Sequence, residues 1–330
     1  MEKIDYTAID LELLRIDTIL GVDLYLKNQQ SYTLYRAQNI PFNDKIRRNL
    51  LNHGVKELYI KSRDTLKFNL YLENNLSGIL SDPDIGIEVK RQVVYESSLN
   101  IARDLIQNPG SITTLKRSTQ VVRNLVDLQL KDRGGFQKVA ELMPVDYKIF
   151  THSANVATFS IAIGNSLGIS KSDLYELGLG ALLHDIGKSK IPKMLLEKPG
   201  PLTDDEFNLV KRHVVYGINI AERNPIVPKN SFHPILYHHE RLSGAGYPHG
   251  KNGNEIPFYG MIAAVADSFD AMTTNRVYQK AYSTFQALEM LLSDSANYDH
   301  RAVLALTRLL GPGGKDEILR PPLIISQPLL

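Results

Sequence analysis

The sequence predicts an α+β protein with a small α/β N-terminal module, a helical connector and an all-α C-terminal domain. Two short runs with the pattern of β-strands, at residues 22–26 and 57–60, flank a helical pattern at residues 42–52. From residue 136 to residue 310 the pattern is helical almost throughout. The chain has 330 residues, 43% of them hydrophobic and 22% charged. It therefore has the length of about two domains and the composition of a folded protein.

Turn-forming residues divide the chain into segments. Ser81-Asp82-Pro83-Asp84 ends the first segment, and Asn108-Pro109-Gly110 separates two helical patterns at residues 87–107 and 113–131. Four prolines among the last 20 residues indicate a tail. We predict a regulatory or interaction module at residues 1–80, a helical connector at 81–133, the all-α domain at 134–312 and the tail at 313–330.

Charge and residue usage exclude several classes of protein. The 38 Lys plus Arg and 36 Asp plus Glu residues leave a formal net charge of +2, too small for a protein that coats DNA or RNA. Cysteine is absent, which excludes disulfides, thiolate nucleophiles and iron–sulfur clusters, so any metal must bind nitrogen and oxygen ligands. No run approaches the roughly 18 apolar residues of a membrane span, and the first residues do not resemble a signal peptide. We expect a cytoplasmic protein without a membrane span or a nucleic-acid partner.

Several ionisable residues of the second half fall on or beside predicted helices. Apolar residues recur at helical spacing around His152, which places this histidine on a buried face. Ser170 with Asp173 predicts the start of the next helix, which closes at His184-Asp185. A capping box at Thr203 predicts the start of a helix that carries His213. A short helix is predicted from Pro234 to His238-His239-Glu240. The last one, at residues 259–274, contains Asp267.

Eight of the nine histidines lie after residue 150. A lone histidine is more often a surface or hydrogen-bonded residue than a ligand, and we keep that interpretation for His53, His233, His249 and His300. The other five imidazoles, with two carboxylates, exceed the needs of one ion. Two ions that share a bridging carboxylate would use all seven, an arrangement suited to phosphoester hydrolysis. The predicted ligands are His152, His184, Asp185, His213, His238, His239 and Asp267.

Five strings in this half resemble the HD-GYP family, a branch of the HD-domain metal-dependent phosphohydrolases. The match covers about residues 146–310 and keeps the family's order and spacing. The resemblance implies an all-α HD-type phosphohydrolase domain that acts on cyclic di-GMP. The strings are HDIGK at residues 184–188, KPGPLT at 198–203, HHER at 238–241, GAGYP at 244–248 and ADSFDAM at 266–272.

The same resemblance implies a role for each matching residue. The seven ligands bind two divalent ions with Asp185 as the bridge, and a hydroxide between the ions attacks the phosphodiester. Asp185 and Lys188 are the implied catalytic residues, because Lys188 can bind a phosphate oxygen or assist the leaving group. Tyr247 can stack on or cap a guanine base. The implied substrate contacts are Lys188, Gly246, Tyr247, Pro248, Arg276 and Lys280.

The donor set also restricts the metal. Five imidazoles and two carboxylates suit iron, manganese, cobalt or zinc better than magnesium or calcium, which prefer oxygen. Among these metals we expect iron, with manganese as the alternative.

The chain departs from the HD-GYP pattern at positions outside the seven predicted ligands. Lys148 stands where some members have a glutamate for a third ion, so we expect two ions. After Arg276 the usual Pro-Tyr-Lys is replaced by residues 277–279, VYQ, and Lys280 is displaced by one position. We expect such changes to affect substrate binding and to leave the metal centre intact. The other substituted positions are Leu242, Ser243, His249 and Met261.

Three functions remain open from the sequence. The first is an enzyme that hydrolyses cyclic di-GMP to pGpG and further to GMP. The second is a sensor or signalling adaptor that keeps the metal centre and has little catalytic activity. The third is hydrolysis of another nucleotide.

The N-terminal module does not match a phosphoacceptor receiver domain, because Asp10, Asp17 and Asp23 do not form the acidic cluster of such a domain. We expect a regulatory or protein-interaction module instead. A protein partner or a second copy could bind through this module or the connector helices. The connector could pair chains if an apolar stripe is left uncovered. The stripe consists of Val94, Leu99, Ile101 and Leu105.

Overall fold

The computed structural model describes residues 4–29, 31–131, 136–143, 148–275 and 280–311. Helices predominate in these ranges, and a four-stranded sheet lies near the N-terminus, which confirms the predicted α+β class. The chain divides into two compact units between Ser97 and Ser98. The predicted tail lies outside the described residues, and the other predicted domain boundaries stay a prediction.

The first unit contains an antiparallel sheet followed by helices. Its elements are β1 (Tyr6–Asp10), β2 (Leu24–Asn28), β3 (Ser31–Arg36), α1 (Asp44–Asn52), β4 (Glu57–Lys61) and α2 (Thr65–Ser81). The strand order is β1-β4-β2-β3, with every pair antiparallel. The two predicted strands are β2 and β4, and the predicted helix is α1. Strands β1 and β3 are additional, and their sequences are YTAID and SYTLYR.

The division between the units falls within α3 (Ile87–Gln107). The two connector helices, α3 and α4, start within one residue of their predicted positions and end at them. The helices after α3 are α4 (Ile112–Lys131), α5 (Phe136–Ala140), α6 (Ile149–Ser166), α7 (Lys171–Leu183), α8 (Lys193–Leu196), α9 (Asp204–Lys211), α10 (His213–Glu222), α11 (Phe232–Tyr237), α12 (Phe258–Thr273), α13 (Thr284–Ser293) and α14 (His300–Leu310).

Local capping explains where the helices that carry the site begin. The Ser170 side chain accepts a hydrogen bond from the Asp173 amide at the start of α7. Thr203 and Glu206 form the predicted reciprocal capping box of α9. Helix α11 begins at Phe232, two residues before the predicted start at Pro234. A proline is tolerated in the first turn of a helix, because the amide that it lacks has no intrahelical partner there.

Helix α6 forms the centre of the second unit. It is buried on all sides from Thr151 to Gly164 and packs against α7, α12 and α14. Because α6 is surrounded by protein, its buried polar residues need hydrogen-bond partners or ligands within the protein. His152 is one of these polar residues.

Most of the apolar stripe of the connector is covered within the single chain. Val94, Ile101 and Leu105 are almost fully buried, whereas Leu99 is partly exposed. Pairing of two chains through these helices stays a prediction. Within the described residues, no helix combines the length and apolar character that a bilayer span requires.

Candidate metal centre

The structure brings the seven predicted metal ligands together in one cluster. Six of the seven side chains are buried, and that of His239 retains 21% exposure. Because these residues lie on or beside helices that converge in the second unit, their side chains meet although they are far apart in sequence. The positions are His152 on α6, His184 and Asp185 after α7, His213 at the start of α10, His238 and His239 after α11, and Asp267 on α12.

The first half of the cluster consists of His152, His184 and Asp185, whose potential ligand atoms lie within 4.8 Å of one another. The Nε2 atoms of His152 and His184 are 3.3 Å apart. Oδ2 of Asp185 lies 3.6 Å from Nε2 of His152 and 3.3 Å from Nε2 of His184. Oδ1 of Asp267 lies 3.0 Å from Nε2 of His152. This half can offer two nitrogens and two carboxylate oxygens to a cation.

The second half consists of His213, His238 and His239, whose potential ligand atoms also lie within 4.8 Å of one another. Nε2 of His213 is 3.3 Å from Nε2 of His238. Oδ1 of Asp185 lies 3.3 Å from Nε2 of His213 and 4.0 Å from Nε2 of His238. Oδ2 of Asp267 lies 3.7 Å from Nδ1 of His239. This half therefore has its own set of nitrogen and oxygen donors.

Asp185 lies between the two halves and presents a different oxygen to each. Its Oδ2 faces His152 and His184, while its Oδ1 faces His213. A carboxylate in this position can bridge two cations. Oδ1 is buried and has no hydrogen-bond partner among the described residues, an uncommon state for a buried carboxylate oxygen. A cation would satisfy this oxygen, so the site fits a metal.

The orientation of the rings gives a second reason to expect a cation. Nδ1 of His184, His213 and His238 lies 2.7–2.8 Å from the carbonyl oxygens of Ala181, Val210 and Pro234 respectively. A carbonyl oxygen only accepts hydrogen bonds, so Nδ1 must carry the proton and Nε2 of each neutral ring must carry a lone pair. Two such lone pairs face each other at 3.3 Å between His213 and His238. A cation between them would turn this repulsion into ligation.

The pKa values favour the protonation states that bind metal. Burial lowers the pKa of His213 to about 4, although Asp185 acts in the opposite direction. Burial also lowers the pKa values of His238 and His239 well below the ordinary value. Burial alone would raise the pKa of Asp185, but the Lys188 ammonium and the His184 ring hold it well below the ordinary value. Neutral imidazoles and ionised carboxylates are the forms that coordinate cations.

Sequence reasoning missed two residues that support the cluster. Oδ2 of Asp270 accepts a hydrogen bond of 2.7 Å from Nδ1 of His152, and its Oδ1 accepts one of 2.7 Å from the Asn155 amide. All three side chains are buried. Such a carboxylate orients a ligating imidazole and raises its basicity. The available signal was the spacing, because Asp270 lies three residues after Asp267 and Asn155 three after His152, on the same helix face.

Lys188 contacts the carboxylate at the centre. The α-helix does not continue through it: α7 ends at Leu183, and a 3₁₀ helix spans Ile186–Lys190. In a 3₁₀ helix residues three apart are aligned, and the Lys188 ammonium donates a hydrogen bond of 2.5 Å to Oδ2 of Asp185. The Lys188 side chain keeps 15% exposure, so its ammonium is close both to the cluster and to solvent.

The Gly246-Tyr247-Pro248 loop packs directly on the cluster. The Tyr247 ring stacks on His239 with 4.5 Å between centroids, and its backbone amide donates to the His239 carbonyl oxygen. A Cβ atom on Gly246 would lie 2.5 Å from that oxygen, so only glycine allows this approach. The buried Glu240 carboxylate accepts hydrogen bonds from the amides of residues 249 and 251. Glu240, which supports this loop, is a third residue that sequence reasoning missed.

The two other predicted phosphate contacts stay predictions. Arg276 and residues 277–279 lie outside the described residues. Lys280 is exposed. A cleft of about 570 Å³ opens beside the cluster and is lined in part by Lys188, Lys198 and Phe207, a volume typical of small-molecule sites. The exposed Lys148 immediately precedes α6, with its ammonium 5.8 Å from the centroid of the Phe150 ring.

Several curated proteins are similar to part of the chain. Cyclic di-GMP phosphodiesterase PA4108 of Pseudomonas aeruginosa is 32% identical over 202 residues, which cover 61% of this chain and 49% of the relative. A cyclic di-GMP phosphodiesterase of Thermotoga maritima is 39% identical over 167 residues, covering 50% and 45% respectively. The 3′3′-cGAMP-specific phosphodiesterase 3 of Vibrio cholerae is 34% identical over 209 residues, covering 58% and 44%. The chain thus spans about half the length of these curated relatives.

A solved structure resembles a larger part of the chain. Bd1817, an HDG"Y"P protein from Bdellovibrio bacteriovorus, superposes with a TM-score of 0.65 at 22% sequence identity. The match covers 93% of this chain and 99% of Bd1817, and it supports the fold. A family model described as HD domain matches residues 136–302, which is half of the chain and contains all seven candidate ligands. Together with the HD-GYP resemblance of the sequence, this match shows that the chain belongs to the HD domain family.

Proposed function

We propose that the chain hydrolyses the 3′-5′ phosphodiester bond of cyclic di-GMP to pGpG, and further to GMP, with two divalent cations held at the cluster. The observation that carries this proposal is the position of Asp185, whose two oxygens face two separate histidine groups. Two of the similar proteins are cyclic di-GMP phosphodiesterases, which supports the choice of substrate. The similar relative that is specific for 3′3′-cGAMP makes that dinucleotide the first competitor to assay.

The chain's own residues would divide the work as follows. The seven ligands hold the cations, which when bound would lower the pKa of water and neutralise charge on the phosphodiester. Lys188 lies at Oδ2 of Asp185, where its ammonium can donate to a phosphate oxygen or to the leaving oxygen. Gly246, Tyr247 and Pro248 would contact the substrate beside the cluster. Arg276 and Lys280 are proposed phosphate contacts on the grounds of sequence alone.

The metal, the cellular location and the roles of the chain segments are proposed from the donor set and the sequence. We propose iron as the metal and manganese as the alternative, because nitrogen-rich ligand sets suit both. We propose that the protein acts in the cytoplasm on a cyclic dinucleotide, without a nucleic-acid partner. Residues 1–80 would form a regulatory module that binds a protein partner or a second copy of the chain, with residues 81–133 as connector and residues 134–312 as the catalytic domain.

The test combines metal content with turnover. The full chain is loaded anaerobically with iron or with manganese, its metal content per chain is measured, and cyclic di-GMP, 3′3′-cGAMP and cyclic di-AMP are assayed for linear products. We expect about two metal ions per chain and conversion of cyclic di-GMP to pGpG. Asp185→Ala should lose both metal and turnover, while Asp205→Ala, which removes an exposed carboxylate of α9, should keep both.

Three outcomes would contradict the proposal. Metal-loaded protein that binds cyclic di-GMP without forming product would indicate the sensor function. Faster hydrolysis of another dinucleotide would show that this dinucleotide, and not cyclic di-GMP, is the preferred substrate. Full turnover in a folded Asp185→Ala variant would place the chemistry at another site.

A further inference from the structure

Phe207 is an aromatic side chain that remains exposed beside the metal cluster. It lies on α9, is 43% exposed, and lines the same cleft as Lys188. A single exposed apolar residue is ordinary on a protein surface. Its neighbours therefore decide whether this ring has a function.

The neighbours of Phe207 form a row of rings that leads away from the cluster. Tyr247 stacks on His239, and the Phe207 ring meets Tyr247 edge to face, with 6.2 Å between centroids and 83° between planes. The Lys211 ammonium lies 4.5 Å from the centroid of the Phe207 ring and 5.5 Å from that of Tyr247. One face of Tyr247 is thus occupied by His239, whereas Phe207 exposes aromatic surface to the cleft.

The position of the Phe207 ring is fixed by the helix that carries it. The Glu206 carboxylate accepts hydrogen bonds from the Thr203 amide at 2.8 Å and from the Lys198 ammonium at 2.5 Å, which anchors the first turn of α9. In the last turn of the same helix, the Val210 carbonyl oxygen accepts a hydrogen bond from the His213 ring. Helix α9 therefore orients a candidate metal ligand and presents Phe207 at the same time.

We infer that Phe207 is a specificity-determining residue that stacks on a nucleobase of a substrate whose phosphate lies at the metal cluster. The inference rests on the proposed function and adds the base-binding surface to it. The cleft connects the ammonium of Lys188, which contacts Asp185, with the exposed ring of Phe207. Every nucleobase has a π-face that stacks on an aromatic side chain, and Lys211 adds positive charge beside the rings for an anionic ligand.

The chain contains no tryptophan, so Phe207→Trp would create a single fluorescent reporter at this position. The matched control is Phe285→Trp, which replaces another exposed phenylalanine that does not line the cleft. Metal-loaded variants are mixed with cyclic di-GMP in a stopped-flow instrument. We expect saturable quenching of the Phe207→Trp emission and none for Phe285→Trp. Ribose 5-phosphate, which has a phosphate but no base, should quench neither.

Steady-state kinetics provide the second measurement. Base–aromatic stacking contributes about 1–3 kcal/mol, so Phe207→Ala should raise KM for cyclic di-GMP by about 5- to 150-fold with little change in kcat. Phe207→Tyr should keep a KM close to that of the wild type, and Phe285→Ala should not change it.

The two proposals fail in different ways. Wild-type hydrolysis of cyclic di-GMP, together with an unquenched Phe207→Trp and an unchanged KM in Phe207→Ala, would overturn the role of Phe207 and leave the proposed function intact. Saturable quenching without hydrolysis would support base stacking and reject the proposed function. The absence of both quenching and hydrolysis would reject both.

Discussion

At the residue scale, four of the five histidines of the cluster are oriented by the hydrogen-bond partner of Nδ1, the ring nitrogen that faces away from the other ligands. Three histidines bind backbone carbonyl oxygens through Nδ1, whereas His152 binds the carboxylate of Asp270. A backbone carbonyl group cannot be removed by a side-chain substitution, whereas the carboxylate of Asp270 can. Asp270 is therefore the point at which the orientation of a ligand can be tested without removing the ligand.

We predict that Asp270→Asn lowers metal affinity by roughly 10- to 100-fold, the usual effect of losing an outer-shell carboxylate. The neutral amide would no longer raise the basicity of His152. Its NH₂ group would also face an N–H donor, either that of His152 or that of Asn155. Metal affinity is measured by competition with a chromogenic chelator. Asp205→Asn is the control for the loss of an exposed carboxylate. An unchanged affinity in folded Asp270→Asn would show that the hydrogen bond at His152 does not support ligation.

Lys188 permits a separation of chemistry from metal binding. Lys188→Met keeps most of the side-chain length but removes the ammonium at Asp185. We predict that kcat for cyclic di-GMP falls by roughly 10²- to 10⁴-fold, the range of a general acid, while metal content is retained. Lys190→Met, on the same 3₁₀ helix and exposed, should leave kcat unchanged. A normal rate in Lys188→Met would restrict Lys188 to a structural role.

At the element scale, the cluster depends on the close approach of the 3₁₀ helix Ile186–Lys190 to α10. Gly187 makes this approach possible: a Cβ atom on it would lie 1.8 Å from the His213 carbonyl oxygen and 2.5 Å from the Gly217 amide nitrogen. Both of these atoms belong to the backbone, which cannot turn aside as a side chain can. The contact therefore fixes the distance between the Asp185 and His213 segments.

We predict that Gly187→Ala destabilises the second unit by about 1–3 kcal/mol or more, the cost of overpacking a dense interior. The same substitution should weaken metal binding, since it separates Asp185 from His213, which face each other in the cluster. Thermal unfolding and metal content are the measurements. Gly110→Ala is the matched control, because a Cβ atom there meets no atom within 4 Å. Equal unfolding temperatures for Gly187→Ala and the wild type would contradict the packing argument.

At the scale of the whole molecule, the cluster joins segments from α6 to α12 that are distant in sequence. A cation that binds the assembled cluster better than the unfolded chain must stabilise the folded state. Metal binding and the stability of the second unit are thus linked.

We predict that chelation lowers the unfolding temperature of the protein. At a cation concentration 100 times Kd, the linked stabilisation is about 2.7 kcal/mol per site. Calorimetry of metal-loaded and chelator-treated protein measures the difference, which should vanish in Asp185→Ala. Equal unfolding temperatures for the two forms, with metal retained by the loaded form, would contradict this prediction. They would mean that the unfolded chain binds the cation as well as the folded protein does.

Much of the local structure could be predicted from the sequence. Capping residues such as Ser170 and Thr203 marked helix starts, because a cap is a contact between residues two or three positions apart. Strand β1 could not be predicted in this way, since its pairing partner β4 is distant in sequence. Strand β3 pairs with the adjacent β2, and the alternation of Tyr32 and Leu34 with polar residues was a local signal that sequence reasoning missed.

The sequence by itself determined which side chains are available to the candidate site: five imidazoles and two carboxylates on predicted helices, and no cysteine. Only the tertiary structure decided how they are used. It divided the two oxygens of Asp185 between two histidine groups, gave His152 a partner 118 positions away in Asp270, and set Phe207 against Tyr247. The physical reason is range: helix periodicity and capping are local properties, whereas these contacts depend on how buried helices pack.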